Sequence, residues 1–419
     1  MRCACGQDNP PSARQCTRCG AALAAAALGR WLRDAAAGAG LLLALLIVFL
    51  LDRSSGGAAA PTAADESGAA IESPSGGAAA SRALRLAVTP PEHDDMGKLL
   101  DTLGAGYRHT QIEWDDLLDA ARLRGYDVVF LTCGGAPTKW LGRRLRPGER
   151  DQDVFTVRPE IVRQLYDALR AYVGQGGTLY ASDWQLDLVK IAFPEFADRA
   201  QEGSGAVQTV AAEVVEPGLR QRLGGTLDLR FDKPGWRPAA LKADDMTVYL
   251  RGEYEAGGGA RRSGPLMVQI PFGAGAIVFT SFHNEKQPSE TELELLRSLV
   301  FTTVTARTEA SVRSTMLRGG FSPVERSLLS ASARDQSFSQ SYECRQTQSL
   351  QFVLGFEDRG AELRLAVVGP DGTRLEKSGT STLTLDVPQA AVGTWRYTVT
   401  PLKVPYQNFP FTVTVGQKP

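Results

Sequence analysis

The hydrophobic rhythm of the chain changes from segment to segment, and each change predicts a different kind of structure. Residues 35–51 carry no charge, and Leu41-Leu42-Leu43-Ala44-Leu45-Leu46-Ile47-Val48-Phe49-Leu50-Leu51 is almost wholly apolar. These seventeen residues reach about 26 Å as a helix, the short end of what spans a bilayer. From residue 52 to 82 the sequence is nearly all Ala, Gly, Ser and Pro, too poor in apolar surface to fold, which predicts a flexible tether. Between residues 83 and 306, buried-type runs such as Leu84-Arg85-Leu86-Ala87-Val88, Tyr126-Asp127-Val128-Val129-Phe130-Leu131 and Thr178-Leu179-Tyr180-Ala181 alternate with helical stretches at 96–103, 114–123 and 159–173. That alternation predicts a parallel sheet with helices on both faces, its functional loops at the carboxyl ends of the strands. From 341 to 419 the runs become short and alternating: 350–354, 362–368, 383–387, 394–399 and 411–415, separated by turns such as Gly369-Pro370-Asp371-Gly372. Short strands at this spacing predict a β-sandwich. Residues 307–340 are polar and poorly periodic, and read as a linker or an irregular first strand.

Composition adds exclusions. With 46 Lys+Arg against 47 Asp+Glu the formal charge is −1, so no global basic field exists to bind a polyanion, and no nucleic-acid partner is expected. Cysteine is segregated: Cys3, Cys5, Cys16 and Cys19 all precede the apolar run, and only Cys133 and Cys344 follow it. Two close pairs of this kind suit four thiolates around a tetrahedral structural zinc. With its Gly6 and Gly20 knuckle positions and Ala21-Ala22-Leu23, the segment 1–23 resembles the short zinc ribbons at the N-termini of many bacterial membrane proteins. Its first pair is C-x-C where that family has C-x-x-C, so a decayed ribbon and a redox role stand as alternatives. Arg2, Arg14, Arg18, Arg30 and Arg33 precede the apolar run and Arg53 alone follows closely, after a juxtamembrane stretch at 24–34. The positive-inside rule then places the N-terminus in the cytoplasm and the later domains outside it, with one helix anchored in the inner membrane. A cleaved signal peptide is the rival reading, but a four-Cys module makes an n-region far too long.

The central region also carries family phrasing. "YDVVFLTCGG", "GQGGTLYASDW" and "GAGAIVFTSFHNE", followed by the helical "SETELELLRSLVF", resemble class I glutamine amidotransferase-like domains of flavodoxin-like α/β fold, including trehalose-utilisation-type relatives. The resemblance implies a nucleophile at a strand-to-helix elbow, a His that activates it, and a Glu two residues beyond that orients the imidazole. His283-Asn284-Glu285 matches the last two positions, whereas the elbow holds Ala181-Ser182-Asp183-Trp184-Gln185, with Asp183 in the nucleophile's place. A carboxylate is a weak nucleophile toward an amide, so glutaminase chemistry is not expected; Ser182 and Cys133 remain alternative nucleophiles. Cys133 otherwise reads as a small buried hydrophobe, Asp183 as a helix cap, and His283 as a bonded residue of a relict pocket. The cluster Glu92-His93-Asp94-Asp95 is read two ways: caps for the helix that follows, or ligand contacts through His93, Asp94 and Asp95. The phrase "VVGPDGTRLEKSG" with "VGTWRYTVTP" is similar to prepeptidase-type extracellular sandwiches, which implies a core role for Trp395.

The expected whole is a multidomain chain of zinc ribbon, transmembrane helix, α/β domain and all-β sandwich. Its expected role is binding, scaffolding or envelope signalling with a protein or small ligand outside the cytoplasm. A hydrolase with a substituted nucleophile, and a small-molecule sensor, are the alternatives.

Overall fold

The computed structural model describes residues 84–142, 157–284, 287, 290–331, 335–357 and 360–418. The four N-terminal cysteines, the apolar run, the tether and Glu285 lie outside the described residues. Among the described residues no helix is long and apolar enough to cross a membrane. All of them belong to one compact unit.

The first part is built from β1 (Leu86–Val88), α1 (Met96–Thr102), β2 (His109–Gln111), the short helix α2 (Ala120–Leu123), β3 (Val128–Leu131), α3 (Pro159–Gly174), β4 (Thr178–Ser182) and α4 (Leu186–Ala192). It continues through β5 (Gln208–Val214), α5 (Pro217–Leu223), β6 (Thr226–Phe231), β7 (Thr247–Glu255), β8 (Arg261–Phe272), β9 (Gly275–Thr280) and α6 (Glu290–Arg318). One nine-stranded sheet runs in the order β2-β1-β3-β4-β9-β8-β7-β5-β6. Strands β2, β1, β3, β4 and β9 are parallel, as the alternation predicts. From β9 onward the pairing is antiparallel, an extension that the expectation of a parallel sheet did not contain. Its strands β5 and β6 show the cause in their own burial, which alternates residue by residue, as in a sheet with one wet face. The parallel strands β1, β3, β4 and β9 are buried throughout because helices cover both faces.

Helix α3 illustrates how sequence sets position. Pro159 sits at its start, where a missing N–H costs nothing, and Leu165, Ala168, Leu169, Tyr172 and Val173 form the buried stripe at helical spacing. Gly176, at φ 105°, ends it in a conformation that disfavours any side chain, and β4 begins two residues later. The segment 114–123, expected as one helix, is a 3₁₀ turn over Trp114–Leu118 followed by α2. Asp119 divides them: its side chain caps α2 by accepting from the N–H groups of Ala121 and Arg122.

Two four-stranded antiparallel sheets make the sandwich. Its strands are β10 (Ser322–Ala331), β11 (Phe338–Cys344), β12 (Gln348–Gly355), β13 (Glu362–Val368), β14 (Arg374–Gly379), β15 (Leu383–Ala390), β16 (Gly393–Lys403) and β17 (Phe409–Lys418). The sheets order as β10-β17-β12-β15 and β11-β16-β13-β14. Trp395 is fully buried in the core between them, its indole N–H donated to the Ala391 carbonyl. Residues 307–340 are not a linker: they hold the second half of α6 and the strands β10 and the start of β11. Helix α6 serves both domains. Its early turns carry Leu295, Leu299 and Val300 into one face of the large sheet, and its later turns press Val312 and Met316 onto Val353 of the sandwich.

Candidate functional site

Strand β4 ends at Ser182, and the chain turns sharply through Asp183 into a 3₁₀ turn and then α4. Asp183 sits at φ 48°, in the left-handed region that few residues other than Gly occupy; such backbone costs about 1–3 kcal/mol and persists only where its surroundings enforce it. The enforcing contacts are visible. The backbone N–H of Arg237 donates to Asp183 Oδ1 at 2.6 Å, while Gln185 Nε2 donates to the Gly134 carbonyl at 2.8 Å. The N–H of Cys133, two residues beyond β3, donates to Ser182 Oγ at 3.0 Å. The loops after β3 and β4 are thereby laced together, with Cys133, Ser182 and Asp183 all buried.

His283 follows β9 and completes the group. Its Nε2 lies 3.1 Å from Asp183 Oδ2, and its Nδ1 lies 3.0 Å from Asp232 Oδ1 on the opposite side of the ring. The Cys133 thiol points at the same Asp183 Oδ2, at 3.6 Å. Burial by itself pulls the imidazole's pKa down, but the adjacent Asp183 carboxylate, reinforced by Asp94 and Asp232, holds it above its ordinary value. Burial pushes the Cys133 thiol up, and the negative charge of Asp183 pushes it further, so the group is a thiol and not a thiolate. Space is scarce. The cavity bounded by Asp183, Phe231, Asp232, Lys233, Trp236, Ser281 and His283 measures about 10 Å³, at the threshold for a single water. A nucleophile and base can be assembled from these side chains, and among the described residues the space beside them is that of about one water.

The cluster after β1 divides its labour. Asp95 caps α1 by accepting from the N–H of Lys98. Asp94 is buried and clasps Asn284, accepting from its backbone N–H at 3.0 Å and its amide at 2.8 Å. Glu92 accepts from the N–H of Gly135 at 2.7 Å. The ring of His93 packs edge-on against Trp184 and has its Nδ1 2.9 Å from Lys233 Nζ. These residues therefore hold the loops that carry Cys133, Asp183 and His283 in register.

Asp232 has no counterpart in the sequence reading, where Glu285 stands as the carboxylate that orients His283. It comes from the end of β6 in the antiparallel extension, a strand whose place in the sheet the parallel pattern does not reveal. The available signal was positional: an Asp directly after the alternating run Thr226–Phe231 and before Lys233-Pro234-Gly235.

No family model and no curated protein matches the chain. Among solved structures it is similar to a ThuA-like protein from Bacteroides uniformis at 13% identity, with 56% of this chain and 95% of that one covered and a TM-score of 0.35. A cytoplasmic protein from Salmonella typhimurium is similar at 14% identity, with 52% and 98% covered and a TM-score of 0.31. A third similarity is to PurLQS from Thermotoga maritima, at 16% identity, 51% and 97% coverage and a TM-score of 0.32. Likenesses of this size say nothing about activity.

Proposed function

We propose that this chain is a single-pass, membrane-anchored binding or scaffold protein of the bacterial envelope. In this reading a cytoplasmic zinc ribbon and one transmembrane helix display a degenerate amidotransferase-like domain and a sandwich outside the cytoplasm, where they meet a protein or small-ligand partner. The observation that carries the non-catalytic half is the closed environment of His283. Its ring is held between Asp183 and Asp232, and the adjoining cavity is too small for a substrate. The elbow offers a carboxylate where acyl transfer by this route needs a thiolate, and the neighbouring thiol is buried and protonated. The membrane half is supported by the apolar run 35–51, its flanking arginines and the tether behind it.

A second reading is kept because one observation favours it. Asp183 occupies a strained strand-to-helix elbow in contact with an imidazole, the geometry of an activated nucleophile. One preparation tests both. Membranes carrying the full chain are washed with alkaline carbonate and assayed with chromogenic amides and esters and with glutamine. The expected outcome is a chain retained in the pellet and hydrolysis no faster than in membranes lacking it. Release by carbonate would remove the anchor from the proposal, and hydrolysis that disappears in a folded His283→Ala variant would establish the hydrolase instead.

A further inference from the structure

The contact between His283 and Asp183 has an unusual feature. Nδ1 faces Asp232 at hydrogen-bond distance, and in the neutral imidazole a proton donated there leaves Nε2 as a bare lone pair. That lone pair stands 3.1 Å from a carboxylate oxygen, and the two atoms make no aligned hydrogen bond. Two lone-pair atoms this close need a positive charge between or beside them, either a second proton on the ring or a cation. A third donor converges on the same point. Cys133 Sγ is 3.6 Å from that same Asp183 oxygen, and the sulfur, oxygen and nitrogen atoms all lie within 4.8 Å of one another.

Those separations can be compared with what a tetrahedral ion demands. Bonds of about 2.3 Å to sulfur and about 2.0 Å to oxygen or nitrogen, at tetrahedral angles, place S and O about 3.5 Å apart and N and O about 3.3 Å apart. The two corresponding edges here are 3.6 and 3.1 Å. Around these atoms the outer contacts have the form that metal sites use. Asp232 accepts on the far nitrogen of the ring, and the Arg237 N–H fixes the other oxygen of Asp183. Ser281 Oγ is a separate indication: it is buried, has no hydrogen-bond partner, and lines the small cavity beside Asp183 and His283. An ion-bound water in that cavity would give it one.

We propose that Cys133 Sγ, Asp183 Oδ2 and His283 Nε2 hold a divalent transition ion of the zinc class, with Asp232 as the carboxylate that orients the imidazole. One sulfur, one imidazole and one carboxylate select against calcium and magnesium, which take oxygen ligands, and favour zinc or cobalt. Binding exchanges the thiol proton, released to solvent, for the ion. The ion pins together the three loops that follow β3, β4 and β9, one ligand coming from each. The inference shares its pocket with the non-catalytic reading but does not rest on it, because turnover and ion binding are separate measurements.

The test uses the detergent-purified full chain with Cys3, Cys5, Cys16 and Cys19 changed to Ser, stripped by a chelator and titrated with Co²⁺. The expected result is one equivalent bound, visible-band intensities of a tetrahedral site, and a near-ultraviolet sulfur-to-cobalt band that Zn²⁺ abolishes. Cys133→Ser should lose the sulfur band. Asp232→Asn should keep it but weaken Co²⁺ binding about 10- to 100-fold, as loss of an outer carboxylate does. If Cys133→Ser fails to fold, as judged by near-ultraviolet circular dichroism, Asp232→Asn carries the comparison. A folded parent with no sulfur band at any tolerated cobalt concentration, or a band that survives in folded Cys133→Ser, overturns the proposal and leaves a second ring proton as the answer.

Discussion

Cys133 shows how far a residue's chemistry depends on what surrounds it. It is completely buried in the loop after β3, and both desolvation and the Asp183 carboxylate oppose its ionisation. Since the thiolate is the reactive species, alkylation in the folded protein should be far slower than for an exposed cysteine. We expect that, in chelator-treated protein, iodoacetamide at mildly alkaline pH leaves Cys133 unmodified in the time that fully labels it in urea, as read by peptide mass spectrometry. Equal labelling in both states would mean that the loops after β3 and β4 open freely. Asp183 makes the same point about backbone. Its left-handed conformation is a property of the elbow and of the Arg237 N–H that donates to its side chain, and nothing in the dipeptide Ser182-Asp183 requires it.

At the scale of elements, the junction of β10 with α5 and α6 carries an ion cluster. The Arg326 guanidinium, at 10% exposure, lies between Glu309 of α6, which it contacts directly, and Glu216, 3.5 Å away at the start of α5. It also stacks over the Tyr249 ring at 5.3 Å. Burial pushes the Glu309 carboxyl above its usual range even with this partner present. Replacing only the cation leaves two carboxylates side by side at the edge of a cleft of about 190 Å³, so Arg326→Met should cost about 1–3 kcal/mol of stability in urea denaturation. The triple variant Arg326→Met with Glu216→Gln and Glu309→Gln should recover most of that loss, because no unpaired charge remains buried. A loss below about 1 kcal/mol in the single variant would show that the cluster is hydrated and energetically minor. This arrangement also explains why β10 is hard to find in sequence: its Glu325-Arg326 reads as surface, while Arg326 in fact faces a second domain.

At the scale of the molecule, the sandwich and the α/β domain are joined in two places besides the Arg326 junction. Helix α6 runs through both cores, and Tyr107 OH donates to the Asn408 carbonyl at 2.6 Å while Asn408 Nδ2 donates to the Leu103 carbonyl at 3.1 Å. Gly106 permits that second contact, since a Cβ there would lie 2.3 Å from the Tyr406 ring. Residues 84–418 should therefore unfold as one cooperative body, seen as a single calorimetric transition with equal calorimetric and van't Hoff enthalpies. Gly106→Leu, by wedging the second contact apart, should split or broaden that transition and speed proteolysis between β10 and α6. Two resolved transitions in the unmodified chain would mean that the domains are independent despite their shared helix.

The sequence by itself determined those features that depend on local period and composition. Strands β1, β3 and β4, helix α3 with its proline start and glycine stop, and sandwich strands β12, β13, β15, β16 and β17 are legible because burial on one face or both imposes a repeat. The edge strands β11 and β14 escape that reading, because alternating or charged residues at a sheet edge look like loop. The elbow at Asp183 and the imidazole of His283 are also visible in one dimension, as motif positions. Tertiary structure alone decided what they touch. Asp232 reaches His283 from a strand placed four positions beyond β9 in the sheet, and Cys133 reaches Asp183 across fifty residues. Such contacts are set by strand order and loop packing, which no local repeat encodes, and they are what give the pocket its charge, its closure and its candidate ion site.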